Sequence, residues 1–127
     1  MGSLIVDAMN VIGSRPDGWW RDRAGASRRL LADLQVLARD EPRTVVVVYD
    51  GRPLPDVPEG THEGVDVAYA RRSGRDAADD RIVELVRELD AADDVEVVTS
   101  DRELADRVRA LGANVTGAGS LLRRLGR

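Results

Sequence analysis

Short apolar runs, each ending at a polar residue, recur along this chain. The four clearest runs occupy residues 4–6, 45–49, 95–99 and 113–116. Short runs of this kind, bounded by polar positions, are typical of buried β-strands. Residues 64–70 differ, because apolar and polar side chains alternate there. That alternation predicts a fifth strand with one wetter face, nearer an edge of the sheet.

Helical spacing fills the intervals between these strands, because apolar side chains recur there every three to four positions. The three groups are Leu30, Leu31, Leu34 and Leu37; Ile82, Leu85, Val86 and Leu89; and Leu104, Ala105, Val108 and Leu111. Strands that alternate with helices predict a doubly wound, mainly parallel α/β sheet with helices on both faces. We expect a single domain over residues 1–127, with surface loops at 13–25 and 51–64.

The composition removes several chemistries. All 19 cationic side chains are Arg, there is no Cys, His62 is the single histidine, and the net charge is −4. A chain without Lys or Cys has no phosphate-binding lysine, Schiff base, thiol nucleophile or zinc-thiolate site. Asp supplies 16 of the 23 acidic residues. Catalysis by this chain would therefore use carboxylates together with a hard metal ion.

Three aspartates follow predicted strands. Asp7, Asp50 and Asp101 come at or just after apolar runs, and the carboxyl ends of parallel strands share one edge, where such folds bind ligands. Each aspartate taken alone is better explained as a turn former or a helix cap, but three of them at one edge favour a shared site. Ser100 and Glu103 have the spacing of a capping box. We therefore predict Ser100 as the N-cap and an uncommitted Asp101 carboxylate.

The third predicted helix begins with the acidic residues Asp76, Asp79 and Asp80. At about 100° per residue, Asp79 borders the apolar stripe that contains Ile82, whereas Asp80 points outward. The alternative is that all three acids only favour the positive end of the helix dipole. Asn10, three residues after Asp7, is either a neutral ligand in the same crevice or a residue that shapes a turn.

Four motifs in order resemble the NYN/YacP-like branch of the PIN-fold nucleases. They are Val6-Asp7-Ala8-Met9-Asn10-Val11-Ile12, Tyr49-Asp50-Gly51, Ala78-Asp79-Asp80-Arg81-Ile82 and Thr99-Ser100-Asp101. The resemblance implies strand order 3-2-1-4-5 and a metal-dependent ribonuclease. It assigns Mg²⁺ or Mn²⁺ to Asp7, Asp79 and Asp101, with Asp50, Asp80 and Asn10 as weaker members. Water activated by the ions would attack an RNA phosphodiester in line.

Candidate RNA contacts lie near the same edge. Arg71, Arg72 and Arg75 precede the acidic helix start and are candidate phosphate contacts or simply a solvated surface. Trp19 and its neighbour Trp20 are candidates for stacking on unpaired bases, with loop packing as the alternative. We also count Ser100 among the substrate contacts. His62 has no evident catalytic partner, so we expect a structural or exposed role.

The expected partner is RNA, single-stranded or messenger RNA, and relatives that act on translated messenger RNA make the ribosome a second partner by resemblance only. No stretch approaches the roughly 18 apolar residues of a membrane span, so we expect a cytoplasmic protein without a membrane partner, as a monomer or weak homodimer. Two alternatives stay open. One is a non-cleaving RNA- or ribosome-binding module, and the other is a protein-interaction domain with a vestigial acidic rim.

Overall fold

A computed structural model describes residues 2–72, 74, 76–89 and 94–126 of the chain. Strands and helices alternate along it, as the apolar pattern predicts. The strands are β1 (Ser3–Asp7), β2 (Thr44–Tyr49), β3 (Gly60–His62), β4 (Val65–Tyr69), β5 (Val95–Val98) and β6 (Asn114–Thr116). The helices are α1 (Ala8–Gly13), α2 (Arg23–Ala38), α3 (Ala77–Glu88), α4 (Arg102–Ala110) and α5 (Ala118–Arg124), with one 3-10 turn at Trp19–Arg21.

The sheet has the order β3-β4-β2-β1-β5-β6. Every neighbouring pair is parallel except β3 with β4. The five strands expected from the sequence are β1, β2, β4, β5 and β6, and their order 3-2-1-4-5 is confirmed. Strand β1 therefore lies between β2 and β5, so that Asp7 at its end is flanked by the ends of both neighbours.

Apolar side chains cover the sheet on both faces. Successive residues of a strand point to opposite faces, so Leu4 and Val6 join one core cluster while Ile5 joins the other. The first cluster contains Leu30 of α2 and residues of α1 and α5. The second contains Ile82 and residues of α4, together with Val48 of β2 and Ala78. Packing in the second cluster brings the first turn of α3 to the carboxyl ends of β1 and β2.

Two predicted loops contain regular structure that apolar spacing did not indicate. Within residues 13–25, α2 begins at Arg23, well before its first leucine. The Asp22 carboxylate accepts a hydrogen bond of 2.9 Å from the backbone N–H of Gly25, and a Cβ on Gly25 would lie 2.3 Å from the other Asp22 oxygen. Gly25 therefore lies inside the first turn of α2, where the missing side chain leaves room for the capping carboxylate, and it does not mark a loop.

Residues 51–64 include the short antiparallel strand β3, which pairs along β4. His62 is the last residue of β3, and its ring nitrogen lies 2.6 Å from the carbonyl oxygen of Pro58. Its backbone carbonyl accepts a hydrogen bond from the side-chain amide of Gln35. These contacts confirm the structural role expected for this histidine. In the part of the chain that the structure describes, no helix has the length and apolar character to span a membrane.

Candidate active site

Asp7 is the most buried acidic group at the carboxyl edge of the sheet, with 6% of its surface exposed. Its Oδ2 accepts a hydrogen bond of 2.9 Å from the hydroxyl of Thr99. Burial raises the pKa of Asp7 to about 6, with the hydroxyl of Thr99 opposing the shift and the charges of Asp101 and Asp50 adding to it. The surroundings of Asp7 therefore disfavour its ionised form.

Thr99 connects two of the expected acids, although the sequence did not single it out as a site residue. It is 2% exposed. Its hydroxyl donates to Asp7 and accepts a hydrogen bond of 3.1 Å from the backbone N–H of Asp101. A buried hydroxyl at the end of a strand, next to two acids, is the signal that would have identified it, because a buried hydroxyl requires a partner.

Asp79 and Asp80 occupy different environments, as the helical spacing predicts. Asp79 is half-buried, and its pKa is raised to about 6 by burial first and then by the charges of Asp7, Asp101 and Asp76. Asp80 instead forms ion pairs with Arg72 and, at 3.1 Å, with Arg107. Asp79 thus belongs to the acidic group around Asp7, whereas Asp80 faces the arginines.

The expected capping arrangement at α4 is wrong. The N-cap is Asp101, whose Oδ1 accepts hydrogen bonds of 3.0 and 3.3 Å from the backbone N–H groups of Glu103 and Leu104. Ser100 lies before the cap, and its hydroxyl accepts a hydrogen bond of 2.9 Å from the backbone N–H of Ala118 at the start of α5. One oxygen of Asp101 is therefore committed to the helix, while Oδ2 receives no hydrogen bond from any described residue.

Asn10 lies in α1, not in the loop that the sequence suggested, because the helix begins directly after β1. Its Oδ1 accepts a hydrogen bond of 2.7 Å from the backbone N–H of Ser100. This bond joins the segment after β1 to the segment after β5. Asn10 and Ser100 thereby hold Asp7 and Asp101 on adjacent segments, and the amide nitrogen of Asn10 is the part of this pair that faces no described acceptor.

The donor set has the chemistry of a site for a hard divalent cation, because carboxylate oxygens are the ligands that Mg²⁺ and Mn²⁺ prefer. Burial and mutual repulsion raise the pKa values of Asp7 and Asp79, and a cation would reverse both effects. The side chains are not yet a closed coordination set. Among the described residues, no three acidic or imidazole groups are positioned to hold one metal ion.

The expected RNA-contacting side chains differ in how free they are. Arg71 pairs with Glu84 at 2.6 Å and Arg72 pairs with Asp80, while Arg75 lies outside the described residues. Trp19 is half-buried against the core cluster of Leu30, whereas 59% of Trp20 is exposed. Of the two candidate stacking residues, Trp20 therefore has the more exposed ring.

A pocket of about 370 Å³ opens next to Asp50, between the start of α2 and the segment after β2. A second hollow, of about 300 Å³, lies beyond Gly51 and Arg52 and reaches Arg71 and Arg72. Asp50 borders both hollows, and its charge contributes to the raised pKa of Asp7. The carboxyl edge of the sheet thus carries a buried acidic centre with a groove beside it.

The strand order and the acidic centre at the switch point between β1 and β5 define a PIN-like, nuclease-type α/β domain. The sequence profile of the YacP-like NYN domain matches residues 4–127. The chain therefore belongs to the YacP-like NYN family, a branch of the PIN-like fold.

Solved structures agree with this assignment. The chain is similar to the crystal structure of Rae1 (YacP) from Bacillus subtilis, with a TM-score of 0.82 and 26% identity over 99% of this chain and 74% of that one. It is also similar to a tryptophan-to-leucine mutant of that protein, with a TM-score of 0.81 and 25% identity over 99% of this chain and 76% of that one. None of the curated proteins compared with the chain matches it.

Proposed function

We propose that this chain is a metal-dependent endoribonuclease that hydrolyses phosphodiester bonds of RNA. One observation carries the proposal. Three carboxylates, from the end of β1, the start of α3 and the cap of α4, lie close enough that the charges of Asp7 and Asp101 add to the rise that burial gives the pKa of Asp79. Protein carboxylates are kept in such repulsive proximity where a cation is to be bound.

Asp7, Asp79 and Asp101 would hold one or two Mg²⁺ or Mn²⁺ ions. A bound ion of this type activates water at neutral pH and stabilises the leaving oxygen. Asp7 and Asp79 contribute by being ionised at the working pH, and Thr99 by keeping the Asp7 carboxylate in one orientation. Asp50 and Asp80 are candidate outer ligands of the metal. Asn10 is a candidate substrate contact, because its amide nitrogen can donate a hydrogen bond to a phosphate.

Phosphate groups of the RNA would meet the arginines that border the groove, including Arg71 and Arg72. Because both form ion pairs with carboxylates, RNA must compete with Glu84 and Asp80 for them. This competition favours a modest contribution from each. We place the activity in the cytoplasm on messenger RNA, with the ribosome as a partner proposed from family membership.

A second candidate function is a non-cleaving RNA- or ribosome-binding module. The observation that favours it is the lack, among the described residues, of three acidic groups positioned to hold one metal ion. The two functions differ in the fate of the RNA, so one experiment separates them.

The test is incubation of purified protein with a circular single-stranded RNA and a structured RNA, each with Mn²⁺, Mg²⁺ or EDTA. Only an endonuclease opens the circle. We expect linear product with Mn²⁺ or Mg²⁺ and none with EDTA, loss of product for Asp79→Asn, and a much smaller loss for the matched variant Asp80→Asn. RNA binding without cleavage in either metal supports the second function, and neither binding nor cleavage supports a protein-interaction domain.

A further inference from the structure

The 370 Å³ pocket beside Asp50 is lined by none of the three central carboxylates, Asp7, Asp79 and Asp101. Its volume lies in the range of about 300–1,000 Å³ that is usual for sites of small ligands. Its floor includes Met9 and the ring of Tyr49, and its rim carries Arg23 from the start of α2 and Arg52 from the segment after β2. An apolar floor with a cationic rim suits a flat ring attached to an anionic group.

The two tyrosines that line the pocket have hydroxyl groups that are already hydrogen-bonded. Tyr49 and Tyr69 are each 4% exposed, and their rings lie 5.5 Å apart. The Tyr49 hydroxyl donates to the carbonyl of Ser27 at 2.9 Å, and the Tyr69 hydroxyl donates to the carbonyl of Val57 at 2.6 Å. Both tyrosine hydroxyls are therefore occupied, and polar contacts to a ligand would come from other lining residues, such as Arg23 and Arg52.

The two rim arginines are free to bind an anion. Both are exposed, and no carboxylate of the described residues forms an ion pair with Arg23 or Arg52, in contrast to Arg71 and Arg72. The guanidinium carbon of Arg23 lies 5.7 Å from the centre of the Trp19 ring, which holds this charge in place by a cation–π contact. A phosphate can bind both groups without displacing an acid.

The pocket also lies next to the acidic centre along the carboxyl edge of the sheet. Asp7 pairs in register with Val48 of β2, and Asp50 on the pocket rim follows Val48 by two residues. Neighbouring strands are about 4.8 Å apart, so one nucleotide in the pocket would be adjacent to a phosphate at Asp7. The negative charge of Asp50 repels phosphate from its own side of the pocket and so directs the RNA backbone toward the arginine rim.

We propose that this pocket binds one unpaired nucleotide of the RNA next to the scissile phosphate, with the base on Met9 and Tyr49 and the backbone phosphates on Arg23 and Arg52. The proposal rests on the proposed function, because that function supplies RNA as the ligand. It adds the place where an unpaired base binds, since only a base that is free of a partner strand can enter a pocket. The Arg23 side of the groove, and not the Arg71 side, then carries most of the affinity.

The test is binding of a fluorescent single-stranded RNA octamer in EDTA, measured by anisotropy over a series of salt concentrations. We expect Arg23→Ala and Arg52→Ala each to weaken binding by about three- to tenfold and to lower the salt slope by about 0.7. Arg39→Ala is the matched control, because Arg39 is equally exposed but lies at the opposite end of α2, about 24 Å away by helix length. Rim variants that bind within twofold of Arg39→Ala would overturn the proposal.

A second variant tests the base directly. Ala24 lines the pocket beside Arg23, and Ala24→Leu fills space there without changing charge or helix propensity much. We expect it to weaken octamer binding by about fivefold or more, as loss of one stacked base does, with the salt slope unchanged. Wild-type affinity for Ala24→Leu, with an unchanged melting temperature, would show that no base enters and would refute the proposal.

These measurements do not depend on cleavage. If wild-type protein opens the circular RNA while the Arg23, Arg52 and Ala24 variants bind RNA normally, the pocket assignment is wrong and the proposed ribonuclease activity is supported. If these variants lose RNA binding while wild-type protein cleaves nothing in either metal, the pocket assignment is supported and the proposed ribonuclease activity is wrong.

Discussion

Replacing Asp79 with Asn is expected to stabilise the protein when divalent cations are absent. Burial, followed by the charges of Asp7 and Asp101, raises the pKa of Asp79 from 3.8 to about 6. Because the folded state then binds this proton more tightly than the unfolded state does, ionisation of Asp79 disfavours folding. The cost is absent below about pH 4, grows as the pH rises through the two pKa values, and is complete above about pH 6.

The size of the effect follows from the shift. A pKa change of about two units corresponds to roughly 3 kcal/mol, but Asp79 is only half-buried, and solvent screens part of the interaction. We therefore expect Asp79→Asn to add about 1–2 kcal/mol to the free energy of unfolding at pH 7.5. For a chain of this length, that corresponds to a rise of roughly 3–8 °C in the melting temperature.

The assay is thermal unfolding in EDTA at pH 7.5 and pH 4, followed by circular dichroism. Asp79→Asn should melt above wild type at pH 7.5 and close to it at pH 4. Asp80→Asn is the matched control, because it loses partly exposed ion pairs with Arg72 and Arg107, each worth less than about 1 kcal/mol. Added Mn²⁺ should raise the wild-type melting temperature and raise that of Asp79→Asn less. An Asp79→Asn protein that melts below wild type at pH 7.5 would refute the electrostatic reasoning.

Four further substitutions test other contacts. Thr99→Val should lower the free energy of unfolding in EDTA by about 1–3 kcal/mol. It should also shift the acid limb of the pH profile of cleavage to higher pH, because Asp7 loses the hydroxyl that lowers its pKa; an unshifted limb would contradict this. Glu41→Gln should lower the free energy of unfolding, measured in urea at pH 7, by about 2 kcal/mol. This loss should shrink as the pH falls from 4 toward 2, because hydrogen bonds from arginines lower the pKa of Glu41 to about 2; a loss that does not depend on pH would exclude this cause. Trp19→Ala should lower the melting temperature, whereas Trp20→Ala should leave it unchanged and weaken single-stranded RNA binding by about 1–3 kcal/mol; the reverse pattern would exchange their roles.

The chain's apolar pattern predicts the fold class, whereas the order of the five parallel strands was implied by the family resemblance. Buried strands and long amphipathic helices carry strong periodic signals because each must present an apolar face to one core. Helix α1 and strand β3 lacked such a signal. Helix α1 has six residues and β3 has three, too few for a period to repeat, and their positions depend on packing against neighbours.

The candidate site also has features that local spacing predicts and features that depend on packing. Residue spacing alone distinguished Asp79 from Asp80, because a helix turns by a constant angle per residue and the apolar stripe defines its buried side. It could not distinguish Ser100 from Asp101 as the N-cap. Both residue types cap helices well, and the choice depended on the backbone N–H of Ala118, 18 residues away, which occupies the Ser100 hydroxyl.

Sequence by itself placed Asp7, Asp50 and Asp101 at the carboxyl edge of the sheet and Asp79 beside the buried face of its helix, since strand polarity and helix period are local properties of the chain; the family resemblance joined Asp79 to the others. Only the tertiary structure decided which side chains are free to act. Arg71 and Arg72 are committed to acids of α3, and Trp19 is committed to the core, whereas Arg23 and Arg52 keep their charges unpaired at a pocket. The availability of a side chain depends on neighbours that are distant in the sequence, and local spacing does not contain that information.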